Sequence, residues 1–319
     1  MKPLTLRRLR RVIVLALLGA AAGAGTAQPA AQWAAQTTPP FGVMVHYLPD
    51  RQTIADIARF DVEAFVAALA DMRASYLILT LGQNNGQYIA PNAALEALCP
   101  TSVRDRPPRD RPLEIGQALQ RRGMALVLYL PFRALQADAA LMRCLDDVSE
   151  QEPPPQRFIL HWSAVIREWS DRYGRLAQGW WFDGTYDTRG MSDGDWSALC
   201  SAARSGNADR WLAFNPGEGP QRFSRRAAPC QDVMAGEFLQ PPARPAGQAS
   251  GLVFHVLTPL GSWWGRPSPP RFTAAQIRDW IAEAKARGGL FTLDLPLDAD
   301  FRFLPAHVAL VRSATAPGS

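Results

Sequence analysis

The sequence predicts an α/β protein built as a single (β/α)₈ TIM-like barrel, and three observations carry that expectation. Eight short apolar runs recur along the chain, amphipathic helical patterns separate most of them, and nearly every run ends in a hydrogen-bonding or ionisable side chain. Runs that are apolar throughout, rather than alternating, suit parallel strands covered on both faces. Eight strand-then-helix units in a chain of this size point to a closed barrel, with a doubly wound sheet as the competing arrangement.

The runs are Phe41–His46, Tyr76–Leu81, Ala125–Leu130, Gly179–Phe182, Trp211–Phe214, Asp232–Ala235, Gly251–Leu257 and Leu290–Leu293. Helical patterns cover Ile54–Met72 and Leu113–Arg122. In a longer one, Phe158, Trp162, Val165, Ile166, Trp169 and Tyr173 share one face, and Gly174 is placed to end it. Thr273 and Gln276 form a capping box ahead of Ile277, Trp280 and Ile281, and Gly288 closes that helix. Gly217–Cys230 and Gln240–Gln248 are rich in Pro, Gly and Arg, so helices there are expected to be short or absent. No repeat of solenoid period is present.

Ahead of the barrel, Arg7, Arg8, Arg10 and Arg11 precede the apolar run Val12–Leu18 and small residues through Ala27. That order is a secretory signal peptide at 1–27, cleaved near Ala27. Its apolar run is too short to span a bilayer, and no later stretch is long and apolar enough. Residues 28–40, rich in Ala, Gln and Pro, are expected to be a disordered tether, with the barrel domain over 41–313 and a tail at 314–319. The formal charge of +5 includes Lys2 and the four arginines, so the rest of the chain is near neutral. It has no basic stripe interleaved with aromatics, which argues against nucleic acid. Cys99, Cys144, Cys200 and Cys230 have no C-x-x-C spacing, which argues against zinc and thioredoxin-type chemistry. They suit an oxidising compartment, periplasmic or secreted. Of three possible pairings, Cys99–Cys144 and Cys200–Cys230 put the partners on neighbouring loops of the barrel.

The functional face of such a barrel is the carboxyl end of its strands. There the sequence delivers His46, then Gln83, Asn84 and Asn85, then Tyr129 and Arg133, then Asp183, Asn215, Glu237, Thr258 with Trp263 and Trp264, and Asp294. Two carboxylates, amide and hydroxyl groups and several tryptophans make a sugar site. Glycoside cleavage needs one carboxylic acid to protonate the leaving oxygen and one carboxylate facing the anomeric carbon. Flat rings cover the apolar face of a pyranose, and polar groups bind its hydroxyls. Because neighbouring strand residues face opposite ways, Trp181 is expected at the pocket wall and Trp180 beneath a helix. No Gly-rich phosphate loop follows a strand, so no cofactor is expected. His161 and His307 fall within helical patterns and His46 and His255 stand far apart, a poor start for a metal site.

Phe41-Gly42-Val43-Met44-Val45-His46 resembles the FG-x-x-x-H first-strand signature of the α-L-fucosidases of glycoside hydrolase family 29. Trp181-Phe182-Asp183-Gly184 is similar to that family's WFDG, Tyr76–Thr80 to its second strand, and Gly288–Leu293 to its last. The resemblance implies a retaining exo-glycosidase of fucosidase type, acting on an oligosaccharide or glycoconjugate, with Asp183 as nucleophile and His46 on the sugar. Two features depart from the family. The loop Gln83–Tyr88 lacks the family's two histidines, and its WE acid/base motif is absent, although Gly261–Gly265 resembles the sWGY segment that comes after that motif. Glu237, at the end of the sixth run, is the acid/base nominated instead. No C-terminal β-sandwich of the kind many members carry is expected. Substrate contact falls to His46, Gln83, Asn84, Asn85, Tyr129, Trp181, Asn215, Trp263 and Trp264. The departures also motivate a second reading, a non-catalytic carbohydrate-binding protein on a degenerate glycosidase barrel, and a third, a barrel hydrolase acting on a non-fucosyl sugar. An aspartate at the position of Asp183 has a plainer use as well, since Asp is a favoured helix N-cap.

Overall fold

Alternate residues of a strand point to opposite sides, and in this chain that rule sorts continuous apolar runs into two separate cores. The computed structural model describes residues 29–49, 53–84, 87–100, 107, 109–135, 138–147, 153–186, 188, 190–217, 225–241 and 251–316. Eight strands, β1 (Phe41–Val45), β2 (Tyr76–Thr80), β3 (Ala125–Pro131), β4 (Ala177–Asp183), β5 (Trp211–Phe214), β6 (Val233–Met234), β7 (His255–Pro259) and β8 (Leu290–Asp294), form one sheet. Their order is β6-β5-β4-β3-β2-β1-β8-β7, and neighbouring strands run parallel. Parallel bridges Val233–Val253 and Glu237–Leu257 join the two edges, so the sheet is a nearly closed barrel. The (β/α)₈ expectation is borne out.

Val43, Val45, Leu77, Leu79, Leu128, Trp180, Phe182, Leu212, Phe214 and Leu293 belong to the outer core beneath the helices. Met44, Tyr76, Ile78, Val127, Tyr129, Trp181, Trp211, Ala213, Val233, Ala235 and Leu257 fill the barrel itself. Trp180 and Trp181 therefore part company as the strand geometry requires. Trp180 Nε1 donates to Ser170 Oγ under the long helix at 3.0 Å, while Trp181 Nε1 donates inward to the Ala235 carbonyl at 3.2 Å.

The surrounding helices are α1 (Pro29–Gln36), α2 (Val62–Asp71), α3 (Ala93–Leu98), α4 (Arg111–Arg121), α5 (Ala139–Leu145), α6 (Gln156–Tyr173), α7 (Asp193–Ala203), α8 (Ala274–Ala286) and α9 (Pro305–Thr315). Local signals set their ends. Asp61 caps α2 through Ala64 N, Asp110 caps α4 through Leu113 N, and Thr273 and Gln276 form a complete capping box on α8. The pattern at Ile54–Met72 breaks in two, a short 3₁₀ turn at Ile54–Arg59 and then α2, because Asp61 starts a fresh helix. The described residues between β5 and β6 and between β6 and β7 form no helix, and 218–224 and 242–250 lie outside the described residues. Disulfides join Cys99 to Cys144 and Cys200 to Cys230.

The expected tether departs from the structure. The signal-peptide region at 1–27 lies outside the described residues, but Pro29–Gln36 forms α1, with Ala30 and Ala34 buried. Trp33 packs its ring against Tyr76 at 5.7 Å and against Trp211 at 5.8 Å, both first residues of their strands. The helix thus covers the amino end of the barrel, opposite the strand ends that carry the polar residues. Composition alone does not reveal this, because the helix is stabilised by packing its partly buried indole against residues far along the chain. His255 lies in the barrel interior, its Nδ1 against the Met234 carbonyl at 3.0 Å and its Nε2 against Thr292 Oγ1 at 2.8 Å. Burial pulls its pKa down to about 4.

Both features bear on stability. Trp33→Ala should lower the unfolding free energy by about 2–3 kcal/mol in a denaturant titration, whereas a tether residue would leave it unchanged. Unfolded His255 takes up its proton near pH 6.5 while the folded residue resists until about pH 4, so its contribution to stability is complete above 6.5 and drains away as pH falls. The stability gap between wild type and His255→Asn should shift by about 3 kcal/mol across that window; a constant gap would contradict the burial argument.

Candidate active site

In six strands an inward-facing residue near the carboxyl end is followed, two residues further on, by a polar one. Met44 is followed by His46, Val127 by Tyr129, Trp181 by Asp183, Ala213 by Asn215, Ala235 by Glu237 and Thr292 by Asp294. The period of two along a strand brings all six to the barrel mouth on the inward side. A cavity of about 440 Å³ opens there, lined by Met44, His46, Leu48, Gln83, Tyr129, Trp181, Asp183, Glu237, Leu257 and the run Trp263–Arg266. Its size is ordinary for a small-molecule site. A larger groove of about 540 Å³, bordered by Arg59, Phe65, Phe301 and Phe303, holds none of these strand-end residues.

The two carboxylates meet on one nitrogen. Asn215 Nδ2 donates to Asp183 Oδ1 at 2.8 Å and to Glu237 Oε2 at 2.6 Å. Those two oxygens can therefore stand no further apart than the sum of the bonds, about 5.4 Å. Asn215 is fully buried, and its own Oδ1 accepts from Gly217 N at 3.1 Å, which settles which end of the amide faces the acids. Asp183 Oδ2 accepts from Tyr129 Oη at 2.6 Å and from Gln83 Nε2 at 3.2 Å, and Gln83 Nε2 also meets the Tyr129 hydroxyl. Three donors thus hold one carboxylate in a single orientation. The N-cap of the helix that follows is Ser192, not Asp183, so the plainer use of this aspartate is already taken.

Glu237 is placed by the barrel's closure. Gly236 has φ +72°, and a Cβ there would come within 2.1 Å of the His255 carbonyl oxygen. Only glycine permits this approach, and it lets Leu257 N bond to Gly236 O at 2.7 Å and Phe238 N to Leu257 O at 2.9 Å on either side of Glu237. Buried Phe238 flanks it. His46 Nδ1 lies 2.8 Å from Asp294 Oδ1. Burial alone would lower the imidazole pKa, but the charge and hydrogen bond of Asp294, with Asp183 and Glu237 further off, hold it above the ordinary 6.5. Burial and the charge of Asp183 push the Tyr129 phenol well above 10, so it stays a neutral donor. The Tyr129 and Trp181 rings stack at 5.2 Å and make one wall, and Trp264 stands 6.0 Å from the His46 ring on another.

Of the residues expected to touch substrate, His46, Gln83, Tyr129, Trp181, Trp263 and Trp264 line the cavity together with Asp183 and Glu237. Asn215 sits beneath the two acids, in a place to hold them rather than to line the cavity. Asn84 is exposed, does not line the cavity, and bonds through its backbone to Gln83 Oε1. Asn85 lies outside the described residues. Arg133 is drawn away by a buried pair with Asp147 at 2.8 Å, and Thr258 is buried outside the lining. Gly265 and Arg266 also line the cavity, and only their nearness to Trp263 and Trp264 marks them in the sequence. Among the described residues no cluster of His, Cys, Asp and Glu could hold a metal, and no helix is long and apolar enough to cross a membrane.

No family model and no curated protein matches the chain. Solved structures do. An endo-fucoidan hydrolase of glycoside hydrolase family 107, MfFcnA9, superposes with a TM-score of 0.68 at 16% identity over 91% of this chain and 64% of its own. A second, MfFcnA4, gives 0.68 at 17% over 90% of this chain and 53% of its own. The α-L-fucosidase AlfC from Lactobacillus casei, in complex with its α-L-fucose product, gives 0.63 at 15% over 90% of this chain and 97% of its own. The chain therefore spans less than two thirds of the two fucoidan hydrolases. At such identities the likeness is one of fold.

The shared amide makes a direct test possible. Asn215→Asp sets a third carboxylate against two others in a buried place, where like charges oppose ionisation. The variant should lose about 3 kcal/mol or more at pH 8 and much less at pH 4.5, read from denaturation midpoints. An equal loss at both would mean that Asn215 does not face both acids.

Proposed function

We propose that the protein is a retaining glycoside hydrolase of fucosidase type, exported from the cytoplasm, needing no cofactor and acting on the terminal sugar of an oligosaccharide or glycoconjugate. The observation that carries the reading is the Asp183–Asn215–Glu237 arrangement, two carboxylates on one amide facing a cavity walled by aromatic rings. Their bonded oxygens stand no further apart than about 5.4 Å, a closeness that supports a retaining pair, whose carboxyl groups are roughly 5–5.5 Å apart, over an inverting pair at ~6.5–9.5 Å.

In this reading Asp183, held from three sides, attacks the anomeric carbon and forms a glycosyl ester as the leaving oxygen departs. Glu237, against Phe238, gives that oxygen its proton, then takes one from the water that cleaves the ester. Tyr129 donates to Asp183 Oδ2 in the free site and is placed to follow the change of charge on that oxygen as the ester forms. Trp181, Trp263 and Trp264 cover the apolar faces of the sugar, and His46 and Gln83 meet its hydroxyls. Fucose is supported by the WFDG and FG-x-x-x-H resemblance and by neighbours that are themselves a fucosidase and fucoidan hydrolases. Export is supported by the basic-apolar-small start of the chain and by two disulfides, which persist in oxidising compartments.

The test is a panel of aryl glycosides, α-L-fucoside first, against wild type and single variants. Asp183→Ala should cut kcat/KM by at least about 10³-fold. Glu237→Gln should slow glycosides with poor leaving groups far more than activated aryl glycosides, because only the former need the acid. Hydrolysis that persists in Asp183→Ala would remove Asp183 as nucleophile. Sugar binding that survives Asp183→Asn, with no turnover of any glycoside by wild type, would favour the carbohydrate-binding reading instead.

A further inference from the structure

Asp294 closes β8, is fully buried, and faces two nitrogens from different parts of the barrel mouth. Oδ1 lies 2.8 Å from His46 Nδ1 and Oδ2 lies 2.6 Å from the Gly265 amide nitrogen. The backbone around it is fixed by Leu260 N bonding to Asp294 O at 3.0 Å and Leu295 N to Met44 O at 2.9 Å. The Gly265 contact has one polarity only, since a backbone N–H can donate but not accept. It is also sterically committed. Gly265 has φ +59°, and a Cβ there would stand 2.7 Å from His46 Cβ, so the loop after β7 presses directly onto the histidine. With Oδ2 taken by that amide, Oδ1 is the atom left for the imidazole, and a carboxylate oxygen only accepts.

We propose that Asp294 is a positioning residue that sets the tautomer of His46, keeping the proton on Nδ1 so that Nε2 alone faces the cavity and alone gains or loses a proton. Neutral, the ring then offers the substrate an acceptor at Nε2; protonated, it offers a donor at the same atom. The same carboxylate ties the loop bearing Trp263 and Trp264 to His46, so the polar contact from β1 and the aromatic wall after β7 are held in one register. The partner at Nε2 is a sugar hydroxyl, a point that rests on the hydrolase reading; the tautomer does not. Several elements contribute groups that bear on the ring: Asp294 from β8, the Tyr129 ring edge at 5.5 Å from β3, Asp183 from β4, Glu237 beyond β6, and Trp264 from the loop after β7, with Arg266 of that loop lining the same cavity. The carboxylates favour the imidazolium, which matches the upward direction of its pKa.

Asp294→Asn separates this role from a merely structural tie between β1 and β8. In the variant the Gly265 N–H takes the side-chain carbonyl, so the NH₂ group must face His46 Nδ1. That nitrogen then has to accept, and the proton moves to Nε2. Nitrogen-15 spectra of the histidine-labelled protein above the titration range should show His46 protonated at Nδ1 in wild type and at Nε2 in Asp294→Asn, with the titration midpoint lowered by about one pH unit or more. For the α-L-fucoside or whichever aryl glycoside is turned over, KM should rise about tenfold in the variant, while kcat on an activated aglycone changes less than about threefold. A wild-type ring carrying its proton on Nε2 overturns the proposal without any variant. So does a variant that keeps both the Nδ1 tautomer and the wild-type midpoint. A protein with the Nδ1 tautomer and no hydrolysis would sink the hydrolase reading and leave this one standing, and the reverse result would do the opposite.

Discussion

Carboxylates that share a cavity repel one another, and this barrel sets two of them against a single amide. Asn215 Nδ2 donates to Asp183 and Glu237 at once, and the Gly217 amide fixes the orientation of the Asn215 side chain. Three consecutive strands deliver the three residues, so the geometry of the pair is the geometry of β4, β5 and β6 at their carboxyl ends. That explains why the closure of the barrel matters for chemistry. If the bridge through Gly236 and Leu257 were broken, Glu237 would lose the backbone bonds on both its sides and the shared amide would hold only one acid.

Much of this was legible in the sequence because strands obey a simple parity. Once Met44, Trp181, Ala213 and Ala235 are inside, His46, Asp183, Asn215 and Glu237 must be inside as well, and at the end where loops converge. The same parity separates Trp180 from Trp181. Helix ends were legible where a side chain reaches only three residues, as at Thr273 and Gln276. What could not be read were the contacts between distant segments. The Ala-, Gln- and Pro-rich segment ahead of the barrel forms a helix whose indole packs against Tyr76 and Trp211, residues far along the chain. Arg133 stands near a strand end but is claimed by Asp147, and Asp294 reaches Gly265 across a loop of no marked pattern. The amide role of Asn215, beneath the acids rather than beside the sugar, depends on both neighbours being in place.

A barrel of this kind hosts many unrelated activities, so fold similarity at 15–17% identity says little about chemistry by itself. The functional weight rests on side chains. Asp183 is fixed by Tyr129, Gln83 and Asn215, Glu237 stands within reach of the same amide, and His46 is paired with a buried carboxylate. Such a set is costly to assemble, since each carboxylate wholly or partly withdrawn from water needs its partners. Each of these acids has them.

If Asp183 is the nucleophile, it becomes covalently bonded to the sugar. The measurement that reaches this bond most directly is mass spectrometry of peptides after the enzyme is trapped with a 2-deoxy-2-fluoro glycosyl fluoride of the sugar it turns over. The predicted result is one glycosyl residue on the peptide Trp180–Tyr186, at Asp183, lost again on incubation with acceptor. Label on another carboxylate, or turnover that yields the inverted anomer and leaves no label, would remove Asp183 as the nucleophile.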